Sequence, residues 1–173
     1  MLVKLGKVAL VSAALSSVVA GCGFQLRSWD LSNHVASYYI QTSGSNELER
    51  PLGRALQQAG VAPAESAGDA ALVVTLHQLS SGRRGVSVTP RARVAEYALT
   101  LSVSYSARAD GQVLLPTQTA RSRRVYQVDR DNVVGSSEEQ ALLEREMRND
   151  LVQQILRAVD TVIGGAVNAS AAG

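Results

Sequence analysis

The sequence predicts an α/β (α+β) fold, a two-layer sandwich whose four-stranded, mainly antiparallel sheet carries two helices on one face, in the order β-α-β-β-β-α. Two observations lead to this prediction. Residues 94–106 alternate strictly between large apolar and mostly hydroxyl side chains, and two other segments carry apolar stripes at helical spacing. The apolar side of 94–106 consists of Tyr97, Leu99, Leu101, Val103 and Tyr105. A strand with one solvent-exposed face has to be packed against other elements, such as helices, only on its apolar face.

Three more segments have strand character. Residues 35–42 are rich in β-branched and aromatic side chains, and residues 70–79 are apolar on both faces, as in a covered strand. Residues 80–90 contain two glycines and two arginines and predict a long hairpin tip. The turn pair Asp110-Gly111 leads into a fourth strand over 113–128, in which a proline at position 116 favours a sheet edge or a bulge.

Both helices are predicted from apolar stripes. The first stripe covers 47–59 and ends at Gly60, a residue that commonly stops helices. The second helix begins at Ser136, which has capping-box spacing to Glu139, and continues to about residue 163. Its core stripe consists of Leu143, Met147, Leu151, Ile155, Ala158 and Val162.

The N-terminus predicts a lipoprotein signal. Lysines at positions 4 and 7 precede an apolar run over 8–20, which is shorter than the roughly 20 residues of a transmembrane span. The run ends in V-A-G-C, the lipobox spacing, with Cys22 last. Cys22 is the only cysteine, so it has no internal disulfide partner, and lipidation explains its presence. The alternative is an ordinary secretory signal followed by a chance cysteine.

We therefore expect a signal peptide at 1–21, a lipidated linker at 22–34, one domain at 35–163 and a disordered tail at 164–173. The only cofactor expected is the covalent lipid on Cys22, a diacylglycerol plus an N-acyl (palmitate) chain, since stable anchoring takes more than one chain. Residue 23 is glycine rather than the aspartate that commonly retains lipoproteins in the inner membrane. The expected location is the cell outer membrane, on its periplasmic side.

Arginines form the main cluster of charge. Every lysine lies in the signal segment, and a GC-rich coding sequence explains arginine in place of lysine but not the clustering. Seven arginines near the hairpin tip or on the fourth strand are candidates for binding a polyanion, because a guanidinium binds phosphate oxygens bidentately. They are Arg83, Arg84, Arg91, Arg93, Arg121, Arg123 and Arg124. The alternatives are a protein interface and a solvated edge that discourages strand pairing.

We find no catalytic constellation. His34 and His77 show no H-E-x-x-H spacing, and no G-x-S-x-G motif or phosphate loop is present. Glu144 and Arg148 have the i, i+4 spacing of a solvated salt bridge. We expect no enzyme activity, no catalytic residue and no metal site. We expect no nucleic-acid partner either, since few aromatic residues stand among the arginines to stack on bases.

Seven short motifs occur in order along the chain. They are G-C-G-F-Q-L-R at 21–27, P-L-G-R-A at 51–55, A-E-Y at 95–97, V-Y at 125–126, and E-E, E-M and Q-I-L between 138 and 156. Together they resemble the LptE family of lipopolysaccharide-assembly lipoproteins. The resemblance covers nearly the whole chain after the signal.

The resemblance implies a non-enzymatic protein that plugs the outer-membrane β-barrel LptD, assists assembly of that barrel and binds lipopolysaccharide. It also implies lipid contacts around the tip between the second and third strands, at Arg91 and Arg93, with Arg83 and Arg84 across the hairpin. The expected partners are LptD, lipopolysaccharide and, through the acyl anchor, the inner leaflet of the outer membrane. The alternative function is that of an accessory of the barrel-insertion machinery that contacts phospholipid headgroups.

Overall fold

A computed structural model describes residues 31–43, 46–88, 94–128 and 133–171. The predicted signal peptide, Cys22, Arg91 and Arg93 lie outside the described residues. The fold is mixed α+β, with a five-stranded sheet and two helices. The elements are β1 (Ser37–Thr42), α1 (Glu49–Gln58), β2 (Ala62–Pro63), β3 (Leu72–Val88), β4 (Val94–Ala109), β5 (Gln112–Gln127) and α2 (Val133–Ala171).

The sheet has one strand more than the four predicted, and its order is β2-β1-β3-β4-β5. The extra strand, β2, has two residues, too few for an alternating pattern to show in the sequence. It pairs with β1 in parallel, and β1 pairs in parallel with β3, whereas β3, β4 and β5 are antiparallel. The sheet is therefore mixed. The parallel β1–β3 pair follows from α1, which supplies the crossover that parallel strands need.

The hairpin tip predicted at 80–90 is instead strand. β3 continues to Val88, and Arg83 and Arg84 pair with Leu99 and Ala98 of β4. The glycines in this segment favour a turn locally, but the long pairing with β4 overrides that preference, as tertiary context often does in strands.

The turn into β5 is confirmed. Asp110 and Gly111 have φ values of 49° and 75°, the left-handed conformations that a two-residue hairpin turn requires. β5 is an edge strand, and Pro116 lies where its register with β4 shifts. An edge strand and a register shift both tolerate a residue, such as proline, that lacks an N–H donor.

The two helices differ in how well their ends were predicted. α1 ends as expected, because Gly60 (φ 84°) lets its N–H and that of Val61 bond back to the carbonyls of Gln57 and Leu56. α2 begins at Val133, so Ser136 lies within its first turn and is not the N-cap. It also extends through 164–171, the segment predicted as the start of a disordered tail. Alanines in that segment favour helix, and no proline stops it.

Both helices pack on the same face of the sheet and form one core with it. The predicted stripe of α2 is confirmed, and Val152, Leu156, Val159 and Ile163 are buried beside it. Leu31 is fully buried in this core, and its N–H donates to the carbonyl of Ala59. The domain therefore includes residue 31, which the sequence placed in the linker. No helix within the described ranges is both long and apolar enough to span a membrane.

A close contact joins β1 to α1. The Tyr38 hydroxyl donates to the Gly53 carbonyl at 3.1 Å, and burial raises the pKa of Tyr38 above its ordinary value of 10.0. A Cβ atom on Gly53 would lie 3.2 Å from this hydroxyl and 3.7 Å from Ile40 Cδ1. Gly53, the glycine of the P-L-G-R-A motif, thus leaves room for the tyrosine.

We predict that Gly53→Ala lowers the free energy of unfolding, although alanine favours a helix interior by about 1 kcal/mol over glycine. The clash with the held Tyr38 hydroxyl outweighs that gain. In a Tyr38→Phe background the hydroxyl is gone, and Gly53→Ala becomes stabilising. Urea unfolding of the two single variants and the double variant measures the coupling. A stabilising effect of Gly53→Ala alone would contradict the close contact.

A second prediction concerns Leu31. Leu31→Ala should lower the free energy of unfolding by about 2 to 5 kcal/mol, as for a fully buried core leucine. The control is His34→Ala, three residues further on, where the side chain is exposed and the change should be within about 0.5 kcal/mol. Equal, small effects of the two substitutions would contradict the burial of Leu31 in the core and would place residue 31 in the linker.

Candidate functional site

The face of the sheet that lies opposite both helices, hereafter the open face, carries mostly small and polar side chains. On β4 it presents Thr100, Ser102, Ser104 and Ser106, all partly exposed, while the residues between them are buried against the helices. Ser104 Oγ lies 3.1 Å from Thr119 Oγ1 of β5. The predicted division of β4 into an apolar and a hydroxyl face is confirmed.

The strand register divides the arginine cluster between the two faces. Residues directly opposite one another in neighbouring strands share a face. Three cross-strand rungs of the open face are Arg84–Ala98–Val125, Gly82–Thr100–Arg123 and Ser80–Ser102–Arg121. The rungs between them, on the helix side, are Arg83–Leu99–Arg124 and Ser81–Leu101–Ser122. Arg84, Arg121 and Arg123 therefore share the open face, and Arg83 and Arg124 do not.

On the helix side, Arg83 is held by α2 and β4. Its guanidinium carbon lies 4.7 Å from the centre of the Tyr97 ring, and its Nη1 donates to Gln140 Oε1 at 3.3 Å. The same oxygen accepts from the Tyr126 hydroxyl at 2.8 Å, and Gln140 Nε2 donates to Glu144 at 2.8 Å. The Tyr97 and Tyr126 rings stack with centres 6.1 Å apart. These contacts fix the direction of the Arg83 side chain.

Arg124 is also engaged by α2. Asp150 Oδ2 accepts from Ser122 Oγ at 2.7 Å and lies 3.9 Å from Arg124 Nη2. Arg124 Nη1 donates to the backbone carbonyl of Arg123 at 3.0 Å, and Gln154 Nε2 donates to that of Arg121 at 3.1 Å. These two carbonyls lie on the outer edge of β5, so the side chains occupy acceptors that another strand would need. Arg124 thus closes the sheet edge rather than presenting a free cation.

The open-face arginines border a shallow trough. Arg121 and Arg123 lie about 7 Å apart along β5, and Arg84 lies two strands away, about 10 Å across the sheet. All three side chains are exposed, and no described residue bonds to their guanidinium groups. The floor between them is Gly82, Ala98 and Thr100, and a Cβ on Gly82 would meet nothing within 4 Å.

Charge makes this trough suitable for an anion. Its three guanidinium groups offer forked donors to phosphate or carboxylate oxygens. Among the described residues of β3, β4 and β5, the one carboxylate is Glu96, which shares the open face and lies at the far rim, opposite Gln127. Three cations against one anion leave a positive surface, which attracts a polyanion. We name Arg84, Arg121 and Arg123 with their floor the arginine trough.

The remaining candidates lie elsewhere. His34 is exposed and His77 is half-buried, in line with a solvated and a structural role. Arg148 donates to Glu47 at 3.1 Å, so its partner lies two residues before α1 and is not Glu144, as the i, i+4 spacing predicted. Among the described residues, no three histidine, cysteine or acidic side chains converge on a point where a metal could bind.

The polar contacts between α2 and the sheet were missed in the sequence. They involve Gln140, Asp150 and Gln154, which occupy the sheet-facing side of a mostly apolar helix. A signal was present, because Ser122 and Arg124 fall on the helix side of β5, where apolar residues are expected. Polar groups on a covered face need partners from the covering element.

Solved structures share this fold. The rare lipoprotein B of Shewanella oneidensis is 26% identical, with a TM-score of 0.64 over 78% of this chain and 98% of that one. An uncharacterized lipoprotein B of Nitrosomonas europaea is 21% identical, with a TM-score of 0.72 over 84% and 96%. A minor lipoprotein of Acinetobacter baumannii is 23% identical, with a TM-score of 0.59 over 72% and 90%. The last two show likeness of fold alone.

The sequence comparison identifies the family. No curated protein matches the chain. The family model LptE, described as lipopolysaccharide-assembly, matches residues 35–159, from the segment before β1 into the second half of α2. This match excludes the G-C-G-F-Q-L-R motif but includes the other six motifs. Because it spans well over half of the sequence, the chain belongs to the LptE family of lipopolysaccharide-assembly proteins.

Proposed function

We propose that this protein is an outer-membrane lipoprotein, anchored through Cys22, that acts with the LptD β-barrel as plug and assembly partner and binds lipopolysaccharide at the arginine trough. The observation that carries the lipid-binding part is the division of the arginines between the two faces. Arg84, Arg121 and Arg123 are exposed on one face and have no partner among the described residues. Holding three unpaired cations together is electrostatically unfavourable unless an anion is bound.

The chemistry of the trough fits the headgroup of a phosphorylated glycolipid. Its two sides are about 10 Å apart, so one anionic group on each side of a sugar backbone can meet a guanidinium. The small floor residues let that backbone approach the sheet. Charge-assisted hydrogen bonds of this kind contribute about 1.5 to 3 kcal/mol each when both partners are well placed.

The rest of the open face supports the plug role. Beyond the trough it carries Ser104, Ser106 and Thr119, short side chains that make a flat, hydrogen-bonding surface. The lumen of an outer-membrane barrel is polar and wet, so a plug needs polar surfaces toward it. In this arrangement both helices and the core stay intact when the barrel closes around the domain.

We predict that replacing Arg84, Arg121 and Arg123 together with glutamine weakens lipopolysaccharide binding about tenfold or more, because charge-assisted contacts are lost. Titration of the full-length protein with purified lipopolysaccharide measures this change. The matched control replaces Arg54, Arg145 and Arg157, which are exposed elsewhere and remove the same charge. The control should keep its affinity, and both triple variants should still co-purify with LptD.

A parallel variant tests the tip. Arg91→Gln with Arg93→Gln weakens binding if the tip contributes, as the family resemblance implies. If only the tip variant loses affinity, the trough is not the site. If both triple variants lose affinity equally, only net charge matters and the proposed site is wrong.

The anchor and the barrel partnership have their own test. Cys22→Ala should leave the fold unchanged but move the protein from the outer-membrane fraction to the soluble periplasm, since the acyl chains provide the attachment. Depletion of the protein in cells should lower the level of correctly folded LptD. Outer-membrane fractionation of Cys22→Ala, or an unchanged level of folded LptD after depletion, would refute the corresponding part of the proposal.

A further inference from the structure

A groove runs along the helix side of β3, beside α2. It consists of two adjoining cavities of about 150 and 300 Å³ that share Ser81, Leu101 and Glu144 in their walls. Within the described part of the chain, α2 packs over β4 and β5, and α1 packs over β1 and β2. Residues of both β3 and α2 line the cavities, so the groove lies between the distal part of β3 and α2. We call it the β3 groove.

The walls of the β3 groove combine planar polar groups with an apolar floor. The floor is formed by Leu79, Leu99 and Leu101. The polar wall residues are Glu47, Gln78, Ser81, Arg83, Gln140, Glu144 and Arg148, and the Gly82–Thr100 rung also borders the smaller cavity. Two carboxylates balance two guanidiniums, so the formal charge of the lining is zero. The groove thus differs from the positive arginine trough on the opposite face.

We propose that the β3 groove binds a short, uncharged saccharide. Vicinal hydroxyls both donate and accept hydrogen bonds, and they match the paired atoms of carboxylate, amide and guanidinium groups. The apolar floor suits the C–H face of a sugar ring, whose burial is favourable. The volume accommodates roughly one to two rings, and a balanced lining gives an anion no net attraction.

The polar groups of the groove are held in place before a ligand arrives. Gln140 is fixed by the Tyr126 hydroxyl and by Glu144, and it holds Arg83 together with the Tyr97 ring. At the other end, the Arg148–Glu47 pair joins α2 to the segment just before α1. Side chains that are already ordered lose little entropy on binding, which favours recognition of a weakly interacting ligand such as a sugar. The inference does not depend on the arginine trough.

Two adjacent serines provide a matched test. Ser81 lies on the helix side and lines the groove, whereas Ser80 lies on the open face opposite Ser102, and both are exposed. The substitution Ser81→Phe fills the groove, whereas the control Ser80→Phe leaves it empty. A second pair, Glu144→Gln in the groove and Glu146→Gln on the exposed side of α2, tests recognition without adding bulk.

The experiment uses the full-length protein in a zwitterionic detergent without a sugar headgroup, titrated with gentiobiose or N,N′-diacetylchitobiose and followed by NMR chemical shifts. We expect saturable shifts at Ser81, Leu101 and Gln140 with a dissociation constant on the order of 1 mM. Ser81→Phe should abolish them, Glu144→Gln should weaken binding severalfold, and the two controls should bind like the unaltered protein.

Preference between the probes distinguishes a glycolipid-like β-1,6 linkage, present in gentiobiose, from the β-1,4-linked N-acetylated rings of cell-wall glycan, present in N,N′-diacetylchitobiose. Binding of either probe supports the proposal. Absence of saturable shifts with both, or shifts that persist in Ser81→Phe, would overturn it. Loss of lipopolysaccharide binding in the arginine variants leaves this result unaffected, so failure of one proposal is distinguishable from failure of the other.

Discussion

Burial of one face of the sheet, and only one, is the constraint on which the other features depend. Because side chains alternate across a strand, Leu99, Leu101 and Val103 can all be buried only if α1 and α2 pack on their side. The intervening hydroxyl residues then necessarily face away from the helices. A one-residue slip of β4 would bury its serines and expose its leucines, so the register with β3 and β5 is strongly determined.

The same alternation gives neighbouring arginines different roles. Arg83 and Arg84 are consecutive in sequence but lie on opposite faces, as do Arg123 and Arg124. On the helix side, guanidiniums meet Gln140 and Asp150 and become part of the packing between α2 and the sheet. On the open face they meet no described partner and remain available to a ligand. Arginines that are neighbours in sequence thus belong to two surfaces. One holds α2 against the sheet, and the other is available to a ligand.

Because the β3–β4 hairpin is long, the two ends of the domain are far apart. Leu31, which leads back toward the lipid attachment site proposed at Cys22, is bonded at the end of α1, near the start of β1. The arginine trough and the β3 groove lie toward the opposite end of β3. With a rise of about 3.3 Å per residue, Leu72 and Arg84 are about 40 Å apart, more than the roughly 30 Å of a bilayer's hydrocarbon core. The candidate ligand surfaces are therefore far from the end of the domain at which the chain enters.

Periodicity and turn chemistry are local properties, and they were sufficient for much of the fold. The alternation of β4, the apolar stripes of α1 and α2, the Asp110-Gly111 turn and the stop at Gly60 could all be predicted, because each depends on neighbours within a few residues. The family motifs are likewise a property of the sequence, and they identified the family that the match over 35–159 shows.

Tertiary structure decided what depends on distant partners. Residues 80–88 contain glycines and locally favour a turn, but they form a strand because they pair with β4. Ala62–Pro63 form a strand because they pair with β1. Leu31 became a core residue because the end of α1 accepts its N–H. The arginine trough and the β3 groove could not be predicted either. Each of these surfaces is formed by side chains from different strands or helices. Strand register and helix placement decide which side chains meet, and the spacing of residues in the sequence does not determine register or placement.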